Sequence, residues 1–334
     1  MRRLAQRVLQ QFGYSIVPDA LLYDWQKPQS HGVESQRVKL PDGADTYLRP
    51  DNPRLRELQQ AYEGVDHRVT TPAKWTANYV RPEEMLYFRA HSPYFWQRPG
   101  RNNELTYALA YYYVKSNDDL RLLDLVEEDL AFGARAFQVE GRLVSRDLLD
   151  SVGELSFLER NLRVSQRRQI AMLDIGAGYG RLAYRAVTAL PSIACYLCTD
   201  AVPVSTFLCE YYLRFRGADQ RAHVIPLHEI KSAMRERPVD LAVNIHSFSE
   251  CRLDAIAWWA SLLREHSVPQ LMVVPNRVSS DGVTMLTDAG EDFSSILAER
   301  GYRLVAREPK YSDPLVRKYC DMSPSPTTRF LFAL

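Results

Sequence analysis

The chain has 334 residues, 46% of them hydrophobic and 25% charged, which is enough apolar material for one large core or two smaller ones. Its 42 Lys and Arg against 41 Asp and Glu leave a net charge of +1, so no global field recruits nucleic acid. No apolar run approaches the roughly 20 residues that span a bilayer, which argues against a transmembrane segment.

The first twelve residues place Leu4, Val8, Leu9 and Phe12 on one helical face, opposite Arg2, Arg3 and Arg7. They lack the apolar core and cleavage site of a signal peptide. The pattern predicts a terminal helix packed on its own domain, with peripheral membrane contact as the alternative. Residues 13 to about 80 carry turn signals at Pro41-Asp-Gly43 and Pro50-Asp-Asn-Pro53 and little periodicity. They read as extended segments and short helices wrapped over a larger body.

From about Asn103 the spacing turns helical, with Leu105, Ala108, Ala110 and the cluster Tyr111-Tyr-Tyr113 on one helix. Asn117 or Asp118 can cap the next helix, carrying Leu120, Leu123, Val126 and Leu130. A third is predicted from about Asp147 to Leu162, with Ser151-x-x-Glu154 as a capping box or a break. Tyr94, Phe95, Trp96 and the tyrosines around 112 are core candidates, with stacking on a sugar or adenine face as the alternative.

The stretch from Ala171 to Ala183 reads as a buried strand, a loop with Gly176, Gly178 and Gly180, and a helix starting near Arg181. The dinucleotide fingerprint needs a glycine at the sixth position of G-x-G-x-x-G, where this chain has Arg181. What remains, Asp174-x-Gly176-x-Gly178-x-Gly180, resembles the first motif of S-adenosylmethionine-dependent methyltransferases. Strand candidates then recur between helical stretches: Met172–Ile175, Ala194–Thr199, His223–Pro226, Leu241–Ile245, Leu271–Val274, Arg303–Arg307 and Arg329–Ala333. That alternation predicts an α/β fold with a doubly wound, mostly parallel sheet. Gly301 stops the helix expected at about Asp292–Arg300. The five cysteines are odd in number and scattered, which points to reduced thiols and a cytoplasmic setting; Cys195-Tyr-Leu-Cys198 reads as two small hydrophobes in a strand.

Asp200 ends the second strand candidate, 20 residues after Gly180. A carboxylate there can accept hydrogen bonds from both ribose hydroxyls of a nucleoside, or cap the helix that follows. Asp174 could hold the cationic amino-acid end of the cofactor. Ala201, beside Asp200, and Asn244, late in the fourth strand, are assigned to the same cofactor site. After that strand the chain reads Asn244-Ile-His246-Ser-Phe-Ser-Glu250 instead of the Asn/Asp-Pro-Pro-aromatic run of many nitrogen methylases. A hydroxyl acceptor needs alignment and a base, so His246 is the candidate base and Glu250 its orienting partner. The alternative for Ser247-x-x-Glu250 is a capping box on the helix of Ile256, Trp259 and Leu263.

Together, Asp174 to Ala183, Thr199-Asp-Ala-Val-Pro203 leading to Tyr211-Tyr-Leu213, Asn244 to Glu250, and Val144 to Ser151 ahead of Glu154 resemble the bacterial sugar O-methyltransferase family over about residues 100 to 334. The resemblance implies a class I methyltransferase fold of seven strands, the last inserted antiparallel. It implies residues 1–165 as an N-terminal extension with a helical cap or substrate region, and 166–334 as the cofactor domain. It also implies methyl transfer from S-adenosylmethionine to a hydroxyl of a sugar, glycan or glycolipid, with S-adenosylhomocysteine as product. Acceptors such as a polyketide, and a catalytically silent binding subunit, are the alternatives. No acidic cluster matches a divalent-metal site, so none is expected, nor is a nucleic-acid partner. No motif specifies the oligomeric state, a homodimer being one option.

Overall fold

The computed structural model describes residues 40–71, 85–90, 104–276, 285–320 and 327–334. The amphipathic stretch at 1–12 and the aromatic run at 94–96 lie outside them.

Helix α1 (Pro53–Glu63) begins where the turn signal predicts: Pro53 occupies its first position and Asn52 accepts from Arg54 N–H at 2.8 Å. Its buried face of Leu55, Leu58 and Tyr62 packs on helix α5 (Pro203–Phe215). Helix α2 (Glu104–Ser116) follows. Tyr111 packs in the core, whereas Tyr112 faces solvent.

The helix expected over 119–130 is not formed. A single turn, Leu122–Leu125, forms instead; Arg121 holds its cap position, and Asp118, three residues earlier, accepts from Leu122 and Leu123 N–H at 2.8 Å each. Two acids downstream are drawn elsewhere: Glu128 pairs with Arg89 and Arg185, and Asp129 with Arg89 and Arg216. The chain then forms a hairpin absent from the sequence reading, β1 (Ala136–Val139) and β2 (Arg142–Ser145). Its signal was Glu140-Gly141, whose φ angles of 50° and 79° make the turn that two-residue hairpins prefer. Ser145 ends β2 and caps helix α3 (Arg146–Leu162), accepting from Leu148 N–H at 3.0 Å. Ser151 and Glu154 therefore lie inside α3, neither capping nor breaking it.

The central sheet has seven strands: β3 (Ile170–Ile175), β4 (Ile193–Thr199), β5 (Ala222–Val224), β6 (Leu241–Ile245), β7 (Gln270–Val274), β8 (Arg303–Pro309) and β9 (Thr328–Ala333). Their order is β5-β4-β3-β6-β7-β9-β8, with β3 to β7 parallel and β9 antiparallel between β7 and β8. This is the doubly wound, Rossmann-like arrangement that the sequence predicts, each strand within two residues of its expected ends. Covered on both faces, the parallel strands are continuously apolar, as at Met172, Leu173 and Ala242, Val243. Helices α4 (Arg181–Ala189), α5, α6 (Ile230–Glu236) and α7 (Leu253–Glu265) connect them. Helix α8 (Ser294–Glu299) ends at Gly301, whose φ is 89°, and α9 (Pro314–Cys320) precedes β9.

The strand order reverses between β3 and β6, which opens a crevice at their carboxyl ends. One apolar core runs across the boundary expected at residues 165 and 166. Among the described residues no helix is long and apolar enough to cross a membrane.

Candidate active site

The glycine loop leaves β3 and is fastened at once to its neighbour, Gly176 and Ala177 N–H donating to Thr199 O at 2.9 and 3.1 Å. All three glycines have positive φ, of 76°, 57° and 85°. A Cβ on Gly176 would lie 2.3 Å from Ser247 Oγ, and one on Gly180 2.9 Å from Cys209 Sγ. Only at Gly178 would it meet nothing within 4 Å. Thus two glycines allow packing of the loop against the fold, and the middle one borders open space.

Asp200 meets the amide of this middle glycine. Its carboxylate accepts from Gly178 N–H at 3.0 Å and from Val202 N–H at 2.9 Å, with Ala201 N–H also directed to it. The helix-cap alternative holds only in part, because α5 begins at Pro203 with Val202 before it. Burial pushes the Asp200 carboxyl up to about 7, against the pull of these amides, and the charge of Glu250 adds to the rise. Asp174 is more enclosed: Tyr196 donates to it at 3.0 Å, and burial raises it to about 7 as well. Ala201 is half-buried beside them.

Asn244 does not face the crevice. It is wholly buried, its amide donating to Ile175 O and its oxygen accepting from Phe248 N–H, both at 2.9 Å. It joins the end of β3 to the turn after β6, so it shapes the crevice wall from behind.

His246 stands at the carboxyl end of β6 with φ 69° and ψ −31°, its N–H donating to Val274 O at 2.7 Å. That unusual backbone re-aims the chain into a tight turn, Ser247–Glu250. Burial, then the positive charges of Arg146, Arg181 and Lys310, outweighs Asp150 and drops the imidazole to about 3. The ring is therefore neutral near pH 7. Glu250 accepts from Asn276 Nδ2 at 3.0 Å and acts electrostatically on Asp200, so it belongs to the Asp200 side more than to His246. Nor does Ser247-x-x-Glu250 form a capping box: α7 starts at Leu253, preceded by Arg252.

Two contributors escaped the sequence reading. The first is the inward face of α3. Tyr179, within the glycine loop, donates to Asp147; Arg181 donates to Ser151 Oγ at 2.8 Å and grips Glu154 at 2.9 and 3.0 Å. Asp150 is held by Arg146 at 3.2 Å and Lys310 at 2.5 Å. The signal was a polar stripe at 147, 150, 151 and 154, helical spacing on a face that should be apolar. The second is Tyr62 on α1, whose hydroxyl contacts Asp200 O, Thr206 and Leu227 N–H, and for which no local motif exists.

No family model and no curated protein matches this chain. Solved structures do show likeness. Magnesium protoporphyrin IX methyltransferase from Synechocystis PCC 6803, with bound SAM, is 11% identical over 71% of this chain and 99% of that one, with a TM-score of 0.40. The [4+2]-cyclase SpnF is 13% identical over 68% and 96%, with a TM-score of 0.39. A SAM-dependent methyltransferase from Aquifex aeolicus is 16% identical over 52% and 87%, with a TM-score of 0.36. The fold assignment rests on the strand order and register described above.

Proposed function

We propose that this chain is an S-adenosylmethionine-dependent O-methyltransferase acting on a hydroxyl of a sugar, glycan or glycolipid. The observation that carries the cofactor is the pairing of Gly178, open on its Cβ side, with the Asp200 carboxylate 3.0 Å from its amide, at the switch point of the sheet. Asp200 would hold the ribose hydroxyls, and Asp174, deeper in the crevice, the cationic end. A loop with Arg181 where the dinucleotide fingerprint has its last glycine suits a cofactor without a pyrophosphate. When bound, S-adenosylmethionine supplies an activated methyl electrophile.

The protein's own task is then to align an alcohol and remove its proton. His246 is neutral near pH 7 and free to accept. A ring of such low basicity orients the hydroxyl first and takes the proton as the new carbon–oxygen bond makes that oxygen acidic. The sugar assignment is supported by the resemblance of residues 100 to 334, and by an Asn244-to-Glu250 run that lacks the nitrogen-methylase pattern.

Transfer of labelled methyl from S-adenosylmethionine into a cell-envelope extract tests this reading. Label in a saccharide or glycolipid fraction is the expected result. Label confined to protein or nucleic acid would overturn the acceptor, and no turnover on any fraction would favour a silent binding subunit.

A further inference from the structure

Helix α1 lies far from the glycine loop in sequence, yet it supplies one buried atom to both strand ends that flank the proposed nucleoside site. The Tyr62 hydroxyl donates to Asp200 O at 3.1 Å and accepts from Leu227 N–H at 2.9 Å. Its third contact is Thr206 Oγ1, also at 2.9 Å. A phenol has one proton and two lone pairs, so with Thr206 as donor these three bonds use its full capacity. The partners sit 138, 144 and 165 residues away along the chain.

We infer that Tyr62 is a positioning residue for the cofactor, fixing Asp200 and the turn after β5 relative to each other from outside the sheet. The inference rests on the assignment of Asp200 to the cofactor made above. Asp200 is thereby held at both ends: its carboxylate by the glycine loop, its carbonyl by Tyr62. Leu227 opens the turn that follows β5, the strand next to β4, and the Tyr62 ring meets His228 edge-on at 6.0 Å. The ring sits on a packed helix face, with Leu55 and Leu58 buried beside it. About two turns away, at the start of the helix, Arg54 pairs with Glu210 of α5 at 3.1 and 2.6 Å and takes no part in the Tyr62 contacts. Burial raises the phenol to about 12, so it remains a donor throughout the working range. Without the hydroxyl, the buried Leu227 amide loses its partner, the Asp200 carbonyl is left with the longer 3.5 Å contact from Thr206 Oγ1, and the two strand ends lose their common reference. The acceptor side, across β3 at His246, keeps all of its bonds.

The test uses the full chain and three variants: Tyr62→Phe, which keeps the ring; Thr206→Val, which removes one partner; and Arg54→Gln, which loosens the same helix without touching the hydroxyl. Calorimetric titration with S-adenosylhomocysteine should show affinity about tenfold weaker for Tyr62→Phe, about threefold weaker for Thr206→Val, and within about twofold of wild type for Arg54→Gln. In turnover, Tyr62→Phe should raise KM for S-adenosylmethionine while kcat and the acceptor KM stay near wild type. Wild-type affinity in Tyr62→Phe would overturn the inference and leave the Asp200 assignment standing. So would equal losses in Tyr62→Phe and Arg54→Gln, since general loosening would then account for both. A wild-type chain that fails to bind would overturn the cofactor assignment itself, and this inference with it.

Discussion

The two sides of the crevice are built by different means. On the β4 and β5 side most of the work is done by backbone: amides of Gly176, Ala177, Gly178 and Val202 meet Thr199 O or Asp200, glycines leave room for the approach, and the Tyr62 hydroxyl braces the result from outside. On the β6 side it is done by side chains that arrive from separate elements, with Arg146 and Asp150 from α3, Arg181 from α4, His246 after β6 and Lys310 after β8. The first kind of construction needs residues close together in the chain; the second does not. Burial acts on both sides, moving Asp174 and Asp200 up and His246 down, in each case toward the neutral form.

That contrast can be broken most forcefully at the glycines. Gly176→Ala puts a methyl against Ser247 at a positive φ and should cost about 3 kcal/mol or more in urea unfolding. Gly178→Ala should cost only about 1 kcal/mol, the backbone penalty alone, yet weaken S-adenosylhomocysteine binding by more than about tenfold. Equal stability losses would contradict the division of labour within the loop.

On the other side, His246→Asn keeps a residue tolerant of positive φ and removes the base. Methyl transfer should fall by about 100-fold with S-adenosylhomocysteine affinity unchanged. Because the imidazole titrates near 3, its own protonation should leave kcat flat from pH 6 to 8 in the wild type. A fall in kcat on acidification that disappears in the variant would show that the ring titrates in that range after all.

Asp174 sharpens the contrast through pH. Burial raises its folded pKa to about 7, above the ordinary aspartate value of 3.8, so the folded state retains a proton that the unfolded state releases. That contribution is fully present below about pH 4 and is lost as pH rises to about 7. Asp174→Asn should therefore be more stable than wild type by about 1–3 kcal/mol at pH 8 and no more stable at pH 4, while binding the cofactor less well. Unfolding curves at the two pH values check it. The smallest effect belongs to Glu250→Gln: loss of a like charge should lower the Asp200 pKa and change S-adenosylhomocysteine affinity by less than about threefold near pH 7.

Legibility in the sequence follows the same division. The seven strands could be read from buried apolar runs, and the glycine loop and Asp200 from spacing, because each signal is local. Residues 119–145 could not: helix propensity pointed one way while the ion pairs of Glu128 and Asp129 with Arg89, Arg185 and Arg216 bent the chain another. Asn244 was misassigned because a polar residue at a strand end resembles a ligand whether it faces the crevice or, as here, braces the wall behind it. Tyr62 and the polar face of α3 gain their meaning only from partners brought near by the fold.

The central claim is that Asp200, held against the open glycine, grips the ribose of S-adenosylmethionine. Calorimetric titration of S-adenosylhomocysteine into wild type and Asp200→Asn at pH 8, where the carboxylate is ionised, tests it directly. The account predicts wild-type binding and a loss of at least about tenfold in the variant; no wild-type binding at high micromolar ligand, or equal affinity in the two proteins, would contradict it.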